Sequence, residues 1–211
     1  MKRLLVMILI PVFMSCSTTE LVEGWKNPDI DIYDPHKVLI VGMTSNTEAR
    51  QQFEERLKDE YQARGVEAVM SLELFEPSFT TAKKTESELK AMEKQLIDDG
   101  FDTILFSKVI GVEDKNSFVQ AYKNYENTHR GFMDEYYIHQ NIYYDPDYYE
   151  AYKIYHAETL LYCICPTKDR ELIWKGYIDI VAPESIQESV DDYVDLVIAI
   201  LEQQQLIPFT P

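Results

Sequence analysis

The stretch KVLIVGMTSNTEARQQFEERLKDEYQARG, residues 37–65, decides the fold class. Residues 38–41 form an unbroken apolar run, which is typical of a strand covered on both faces. Ser45 and Glu48 have the spacing of a capping box at the start of a helix. That helix carries one apolar stripe at four-residue steps, made of Ala49, Phe53, Leu57 and Tyr61. Gly65 is predicted to end it in the left-handed conformation. The stretch therefore predicts a central strand followed by an amphipathic helix, the unit of an α/β domain.

The same rhythm continues along the chain. Residues 66–72 predict a second strand, and a capping box at Thr85 and Glu88 predicts a second helix that ends at Gly100. Residues 103–112 predict a third strand, and residues 152–165 and 171–181 predict the two arms of a hairpin. The residues after Ser185 form a wide apolar stripe at helical spacing, which predicts a last helix with Ser185 as its N-cap. The order βαβαβ, long insert, β-hairpin, α predicts an α/β domain with a mixed sheet of about five strands and three helices.

The first residues are typical of an export signal. Lys2 and Arg3 precede an apolar run over residues 4–13, which is shorter than the roughly 20 residues that a membrane span needs. The run ends at a cysteine preceded by Phe-Met-Ser, which resembles a bacterial lipobox. We therefore predict a lipoprotein signal peptide over residues 1–15 and a lipid on Cys16. An ordinary signal peptide with a chance cysteine is the alternative.

Residues 16–36 contain glycine and prolines and have no sustained apolar period, so they are predicted to form a tether. Residues 37–207 are predicted to form a single α/β domain. Ser17 occupies the position directly after Cys16, where lipoproteins that are retained in the inner membrane often have aspartate. The expected location is therefore the outer membrane, with the domain facing the periplasm.

The charge of the chain excludes some classes of partner. The formal net charge is −17, and removal of residues 1–15 takes away Lys2 and Arg3 and no acid, which changes it to −19. Such a chain repels nucleic acid and anionic lipid head groups, so acyl chains must hold it at a membrane. Because the acids are dispersed over helix faces, solubility is the simpler account of the acidity itself.

The sequence contains no motif that identifies a reaction. Gly42 stands alone in the first turn between strand and helix, without the further glycines or lysine of a phosphate-binding loop. The histidines at 129, 139 and 156 fit no pattern of metal ligands, so surface or half-buried histidines are expected. Cys163 and Cys165 share one face of a strand, which favours buried thiols over a disulfide. We predict no catalytic residue, no metal and no cofactor.

The tyrosine-rich insert over residues 113–150 is the candidate binding surface. Tyrosines supply rigid amphipathic area that is common in protein interfaces and sugar-binding sites. The candidate partner-binding residues are Tyr136, Tyr137, Tyr143, Tyr144, Tyr148 and Tyr149. The expected partner is an envelope protein or a glycan. Alternatively, the tyrosines cover a small core of the insert itself.

Two further alternatives belong to other functional classes. One is a glycan-acting hydrolase of the envelope with paired carboxylates such as Glu113 and Asp114, although adjacent residues of a strand point to opposite faces. The other is a protein that binds a small ligand or a metal.

Several segments resemble a group of uncharacterised bacterial lipoproteins of about this size, over residues 25–207. They are the opening WKNP, the strand KVLIVGM, the segment RGVEAV, the tyrosine-rich insert, and the closing AETLLYCI and ELIWKGYIDIV with the last helix. The arrangement looks like the amino-terminal domain of TolB and the lipoprotein activators of penicillin-binding proteins. The resemblance implies a binding or assembly role in the envelope, and no motif carries a more specific function across.

Overall fold

The computed structural model describes residues 19–80, 82–111, 131–143, 154–165, 171–181 and 185–209. These residues form an α/β domain, as predicted, with six strands and five α-helices. The strands are β1 (Thr19–Lys26), β2 (Lys37–Met43), β3 (Glu67–Met70), β4 (Thr103–Gly111), β5 (Ile154–Cys163) and β6 (Glu171–Val181). The helices are α1 (Thr47–Ala63), α2 (Ser71–Leu74), α3 (Glu86–Asp98), α4 (Phe132–His139) and α5 (Ile186–Gln203). Short 3₁₀ helices span Pro77–Thr80 and Gln140–Tyr143.

All six strands belong to one mixed sheet in the order β1-β6-β5-β4-β2-β3. Strands β3, β2 and β4 are parallel, whereas β5, β6 and β1 pair in antiparallel fashion. The last residue of β4, Gly111, pairs with Tyr155, which pairs with Ile180, which pairs with Thr19. The end of β6 and the beginnings of β5 and β1 therefore lie beside the carboxyl ends of β2 and β4. We call this border the carboxyl end of the sheet.

Strand β1 is the main difference from the predicted architecture. It lies within residues 16–36, which were predicted to form a tether, and it adds a sixth strand at the border of the sheet. A register shift between Leu21 and Glu23 interrupts its pairing with β6. Such a bulge breaks the alternation by which strands are read from sequence. The Lys26 ammonium fastens the other end of the strand, since it donates to the backbone carbonyls of Asp31 and Gln204, both at 2.7 Å.

Helices cover both faces of the sheet, which explains the unbroken apolar run of β2. Helices α1 and α5 cover one face, and α3 and α4 cover the other. Val38 and Ile40 pack into the core beneath α1 and α5, whereas Leu39 and Val41 pack beneath α3 and α4. We refer to these as the α1/α5 face and the α3/α4 face. The prediction of a central strand at residues 38–41 is confirmed.

The helix ends follow the predicted chemistry with one change. The N-cap of α1 is Asn46 and not Ser45, because the Asn46 carboxamide oxygen accepts the Ala49 amide at 3.1 Å. The capping box at Thr85 and Glu88 is present, and Ser185 caps α5. Both predicted left-handed glycines are observed, Gly65 with φ 77° and Gly100 with φ 84°.

Two helices were not predicted. The second strand ends at Met70, and Leu72 lies in the four-residue helix α2. Helix α4 falls inside the insert over residues 113–150, which shows no regular period. Within the part of the chain that the structure describes, no helix is long and apolar enough to cross a membrane.

Cys163 and Cys165 form a disulfide, so the prediction of two separate thiols is wrong. The prediction assumed that both residues lie on an extended strand, where alternate residues are about 6.5 Å or more apart. Strand β5 ends at Cys163, and the two Cα atoms are 5.3 Å apart. This separation is within the range that a disulfide spans.

Candidate functional site

A cleft of about 380 Å³ lies on the α1/α5 face at the carboxyl end of the sheet. Its floor comes from four adjacent strands and consists of Gly42, Ser107, Val109, Tyr155, Ala157 and Ile180. In open α/β sheets, ligands bind outside the carboxyl ends of the parallel strands. The topology therefore places this cleft where a ligand site is expected.

The two walls of the cleft come from the N-terminal halves of α1 and α5. The α1 wall, with the turn before it, consists of Thr44, Asn46, Ala49, Arg50 and Phe53. The α5 wall consists of Ser185, Ile186, Ser189, Val190 and Tyr193. Gly42 lets α1 lie close to β2, because a Cβ atom there would lie 3.0 Å from Cδ1 of Phe53. Small residues such as Ala157 on the floor and Ser189 on α5 leave space between the floor and the walls.

A chain of buried hydroxyl groups joins the floor to the α5 wall. Oγ of Ser107 lies 2.6 Å from Oγ1 of Thr159, which lies 2.6 Å from the Tyr193 hydroxyl. Burial raises the pKa of Tyr193 in spite of these hydrogen bonds, which favour the phenolate. The Tyr193 hydroxyl therefore stays neutral at physiological pH, and the chain fixes α5 over β4 and β5.

Arg50 brings a charge to the α1 wall, but this charge is neutralised within the fold. Its Nε lies 3.0 Å from Oε1 of Glu54, and its Nη2 donates to Oγ of Ser71 at 2.8 Å. The Glu54 carboxylate also accepts from the Gly42 amide at 3.0 Å and from the Ser71 hydroxyl at 2.6 Å. Arg50 and Glu54 are buried. This network ties α1 to β2 and α2.

The tyrosine-rich insert reaches the border of the cleft at Tyr143. The Tyr143 hydroxyl donates to the Gly42 carbonyl at 3.3 Å. The Tyr143 ring centroid lies 5.2 Å from Cζ of Arg50, which is within the range of a cation–π contact. Both Gly42 and Arg50 line the cleft. The insert and the cleft therefore meet at the carboxyl end of the sheet.

The other predicted partner-binding tyrosines have different environments. Tyr136 is 3% exposed and packs against the rings of Phe79, Phe106 and Phe132, so it belongs to the core of the α3/α4 face. Tyr137, on the same helix, is 47% exposed. Residues 144, 148 and 149 of the predicted binding set, and the carboxylates at 113 and 114, lie outside the described residues. The partner-binding surface stays a prediction.

The α3/α4 face carries a buried ionic cluster that sequence reasoning missed. Nζ of Lys108 lies 2.9 Å from Oε2 of Glu135 and 2.6 Å from Oε2 of Glu158. Nε2 of His139 lies 3.3 Å from the same Glu135 oxygen. Burial disfavours the charged ammonium, but the two carboxylates outweigh it and raise the pKa of Lys108. The available signal was a set of charged residues inside otherwise apolar strands.

A histidine and a carboxylate form a second buried pair on the same face. Nδ1 of His156 contacts Oδ1 of Asp179, and the His156 ring stacks on Tyr177 with centroids 5.4 Å apart. His156 is buried, whereas surface or half-buried histidines were expected. Among the described residues, no group of three His, Cys, Asp or Glu side chains is arranged to hold a metal ion. The histidine at 129 lies outside the described ranges.

Comparison with known proteins gives a distant structural similarity. No family model matches this chain, and no curated protein matches it. A solved structure, the PelC dodecamer from Paraburkholderia phytofirmans, is similar over 89% of this chain and 97% of that chain. The two sequences are 9% identical, and the TM-score is 0.42. The resemblance to lipoproteins with a TolB-like arrangement stays a prediction.

Proposed function

We propose that this protein is a lipid-anchored, non-catalytic binding module of the bacterial cell envelope. In this proposal, residues 1–15 are a signal peptide, and the lipid on Cys16 holds the domain at the outer membrane, facing the periplasm. The observation that carries the binding role is the cleft between α1 and α5 at the carboxyl end of the sheet.

The chemistry of the cleft supports binding rather than catalysis. The described residues that line it include no Asp, Glu, His, Cys or Lys, which are the side chains that most often act as general bases. Ser107 and Tyr193 each hydrogen-bond Thr159 within the hydroxyl chain, and Arg50 is paired with Glu54. Apolar walls with a few polar groups are typical of sites that hold a small ligand.

The insert supplies the second part of the proposal, which is contact with an envelope protein or a glycan. Tyr143 borders the cleft, and Tyr137 offers an exposed ring on α4. Exposed tyrosines are favoured in interfaces because they bury a large rigid surface at a small cost in entropy. A ligand in the cleft and a partner bound at Tyr143 would thus meet at the carboxyl end of the sheet.

The anchor is tested by the mass of the mature protein and by its distribution between membrane and soluble fractions. We expect an acylated cysteine at the new N-terminus and a membrane-bound protein. The Cys16→Ser variant should lose both. An unmodified N-terminus on a soluble wild-type protein contradicts the anchor.

The cleft is tested by native mass spectrometry of protein released gently from its own envelope. We expect a bound species on the wild type that Ser189→Phe lacks, because a phenyl ring at residue 189 fills the mouth of the cleft. Gln187→Phe is the matched control, since Gln187 lies exposed on the same helix and outside the cleft. A wild type with no bound species, or a species that Ser189→Phe retains, contradicts the role of the cleft.

A further inference from the structure

The first described strand fixes where an anchor at Cys16 lies relative to the cleft. Strand β1 begins at Thr19, three residues after Cys16. Thr19 pairs with Ile180, and its hydroxyl donates to the Asp192 carbonyl of α5 at 3.2 Å. Three residues span at most about 11 Å, so Cys16 cannot lie far from these groups.

This position orients the domain on the membrane. Ile180 pairs with Thr19 and also lines the cleft, and α5 forms one of the cleft walls. The anchor and the cleft are therefore at the same end of the sheet. A domain held this closely presents its carboxyl end to the bilayer, because the short link leaves little room for the domain to turn away. The cleft then opens toward the lipid.

The lining of the cleft fits a hydrocarbon chain better than a charged or sugar ligand. The chain has 37 acidic residues, yet none of the described lining residues is acidic. Most of the surface exposed in the cleft is apolar, and it includes Ala49 and Phe53 on one wall and Ile186 and Val190 on the other. Each methylene group that leaves water contributes about 0.8 kcal/mol. A sugar would place some of its hydroxyl groups against these apolar side chains, which offer them no hydrogen bond.

We propose that the cleft takes up one acyl chain of a bilayer phospholipid from the membrane to which the protein is anchored. This inference rests on the proposed function, because the anchor at Cys16 brings the cleft to the bilayer. The phospholipid head group stays at the mouth, where Thr44, Asn46 and Ser185 are uncharged and polar. The head group is therefore contacted by uncharged polar side chains.

The test uses lipidated wild-type protein in vesicles of phosphatidylcholine that contain a phosphatidylcholine with a diazirine on its acyl chain. After irradiation, the crosslinked residues are mapped by mass spectrometry. We expect crosslinks in the first turns of α1 and α5, with a yield that falls about tenfold in Ser189→Phe, as loss of a 1.4 kcal/mol interaction gives. Gln187→Phe should crosslink like the wild type.

A second pair of variants guards against a folding defect in Ser189→Phe. Ala49→Phe fills the cleft from the α1 wall, and Gln51→Phe, on the exposed side of α1, is its control. Crosslinks that fall in both cleft variants and in neither control support the inference. Crosslinks that stay outside both walls, or that persist in both cleft variants, overturn it.

Failure of this inference is distinct from failure of the proposed function. If native mass spectrometry identifies a bound peptide or glycan in the cleft of an acylated protein, the proposed function stands and the acyl ligand is wrong. If the N-terminus carries no lipid, the anchor fails. The Cys16→Ser protein, supplied with the same diazirine lipid in bicelles, then decides whether the cleft binds an acyl chain.

Discussion

The two faces of the sheet are built from neighbouring residues of the same strands, but β4 and β5 present different polar groups to each face. On β4, Ser107 lines the cleft of the α1/α5 face, whereas Lys108 enters the ionic cluster of the α3/α4 face. On β5, Thr159 belongs to the hydroxyl chain and Glu158 pairs with Lys108. Side chains alternate between faces along a strand, so one step along the chain changes the chemistry completely.

The difference concerns which buried polar groups can border an open cleft. A buried ion is tolerated only when other charges and hydrogen bonds surround it, so Lys108, Glu135 and Glu158 occupy closely packed positions. Hydroxyl groups satisfy one another in a short chain and remain neutral. On β4 and β5, hydroxyl groups therefore face the cleft and charged groups face the opposite side, whereas Arg50 reaches the cleft from α1 and is paired with Glu54.

The largest expected effect is on the α3/α4 face, where Lys108→Met leaves two buried carboxylates without their cation. We expect a loss of about 3–5 kcal/mol in the free energy of unfolding, measured with urea. Lys108→Met combined with Glu158→Gln should recover part of it, because one uncompensated charge is removed. A loss below about 1 kcal/mol for Lys108→Met, as at an exposed pair, breaks the comparison.

High pH should act on the α1/α5 face through its buried phenols. Burial raises the pKa values of Tyr61 and Tyr193, whereas an unfolded tyrosine ionises near pH 10. Their stabilising contribution is therefore complete below about pH 10 and is lost as the pH rises further, by up to about 1.4 kcal/mol per pH unit for each tyrosine. Urea unfolding between pH 8 and 11 should show a shallower decline for Tyr193→Phe. An unchanged slope contradicts this account.

A smaller effect is expected at Ser107, the neighbour of Lys108 on β4. Ser107→Ala removes one hydrogen bond of the hydroxyl chain, and Thr159 keeps its bond to Tyr193. We expect a loss of about 1 kcal/mol in urea unfolding, with no change in the pKa of Lys108 followed by NMR. A loss as large as that of Lys108→Met indicates that the two faces are not energetically distinct.

The sequence predicts the elements that repeat a strong local pattern. The buried run of β2, the capping box of α3 and the left-handed Gly65 each depend on a few adjacent residues, and each is observed. The observed N-cap of α1 is one residue later than the predicted one, because Asn46 has the same capping chemistry as Ser45. Local signals of this kind do not depend on what packs against them.

The candidate site was not predictable in the same way. Its lining comes from β2, β4, β5, β6 and two helices, and nothing in the sequence states that Ser107 and Tyr193 share one cavity. The ionic cluster depends on pairings between strands and on α4, which lies in an insert without regular period. The disulfide depends on the point at which β5 ends. Each of these features depends on contacts between segments that are distant in the sequence, and local sequence patterns do not specify such contacts.

Strand β1 has a mechanical consequence. Its first residue, Thr19, lies at the carboxyl end of the sheet, and its backbone bonds to β6 run as far as Lys26. A pull on the residues before Thr19, directed away from that end, acts along the axis of the strand. The backbone bonds to β6 then carry the load together instead of opening one after another. Part of the segment expected to be a loose tether is thus a strand of the sheet, and under the proposed anchor a pull on Cys16 would load β1 in shear.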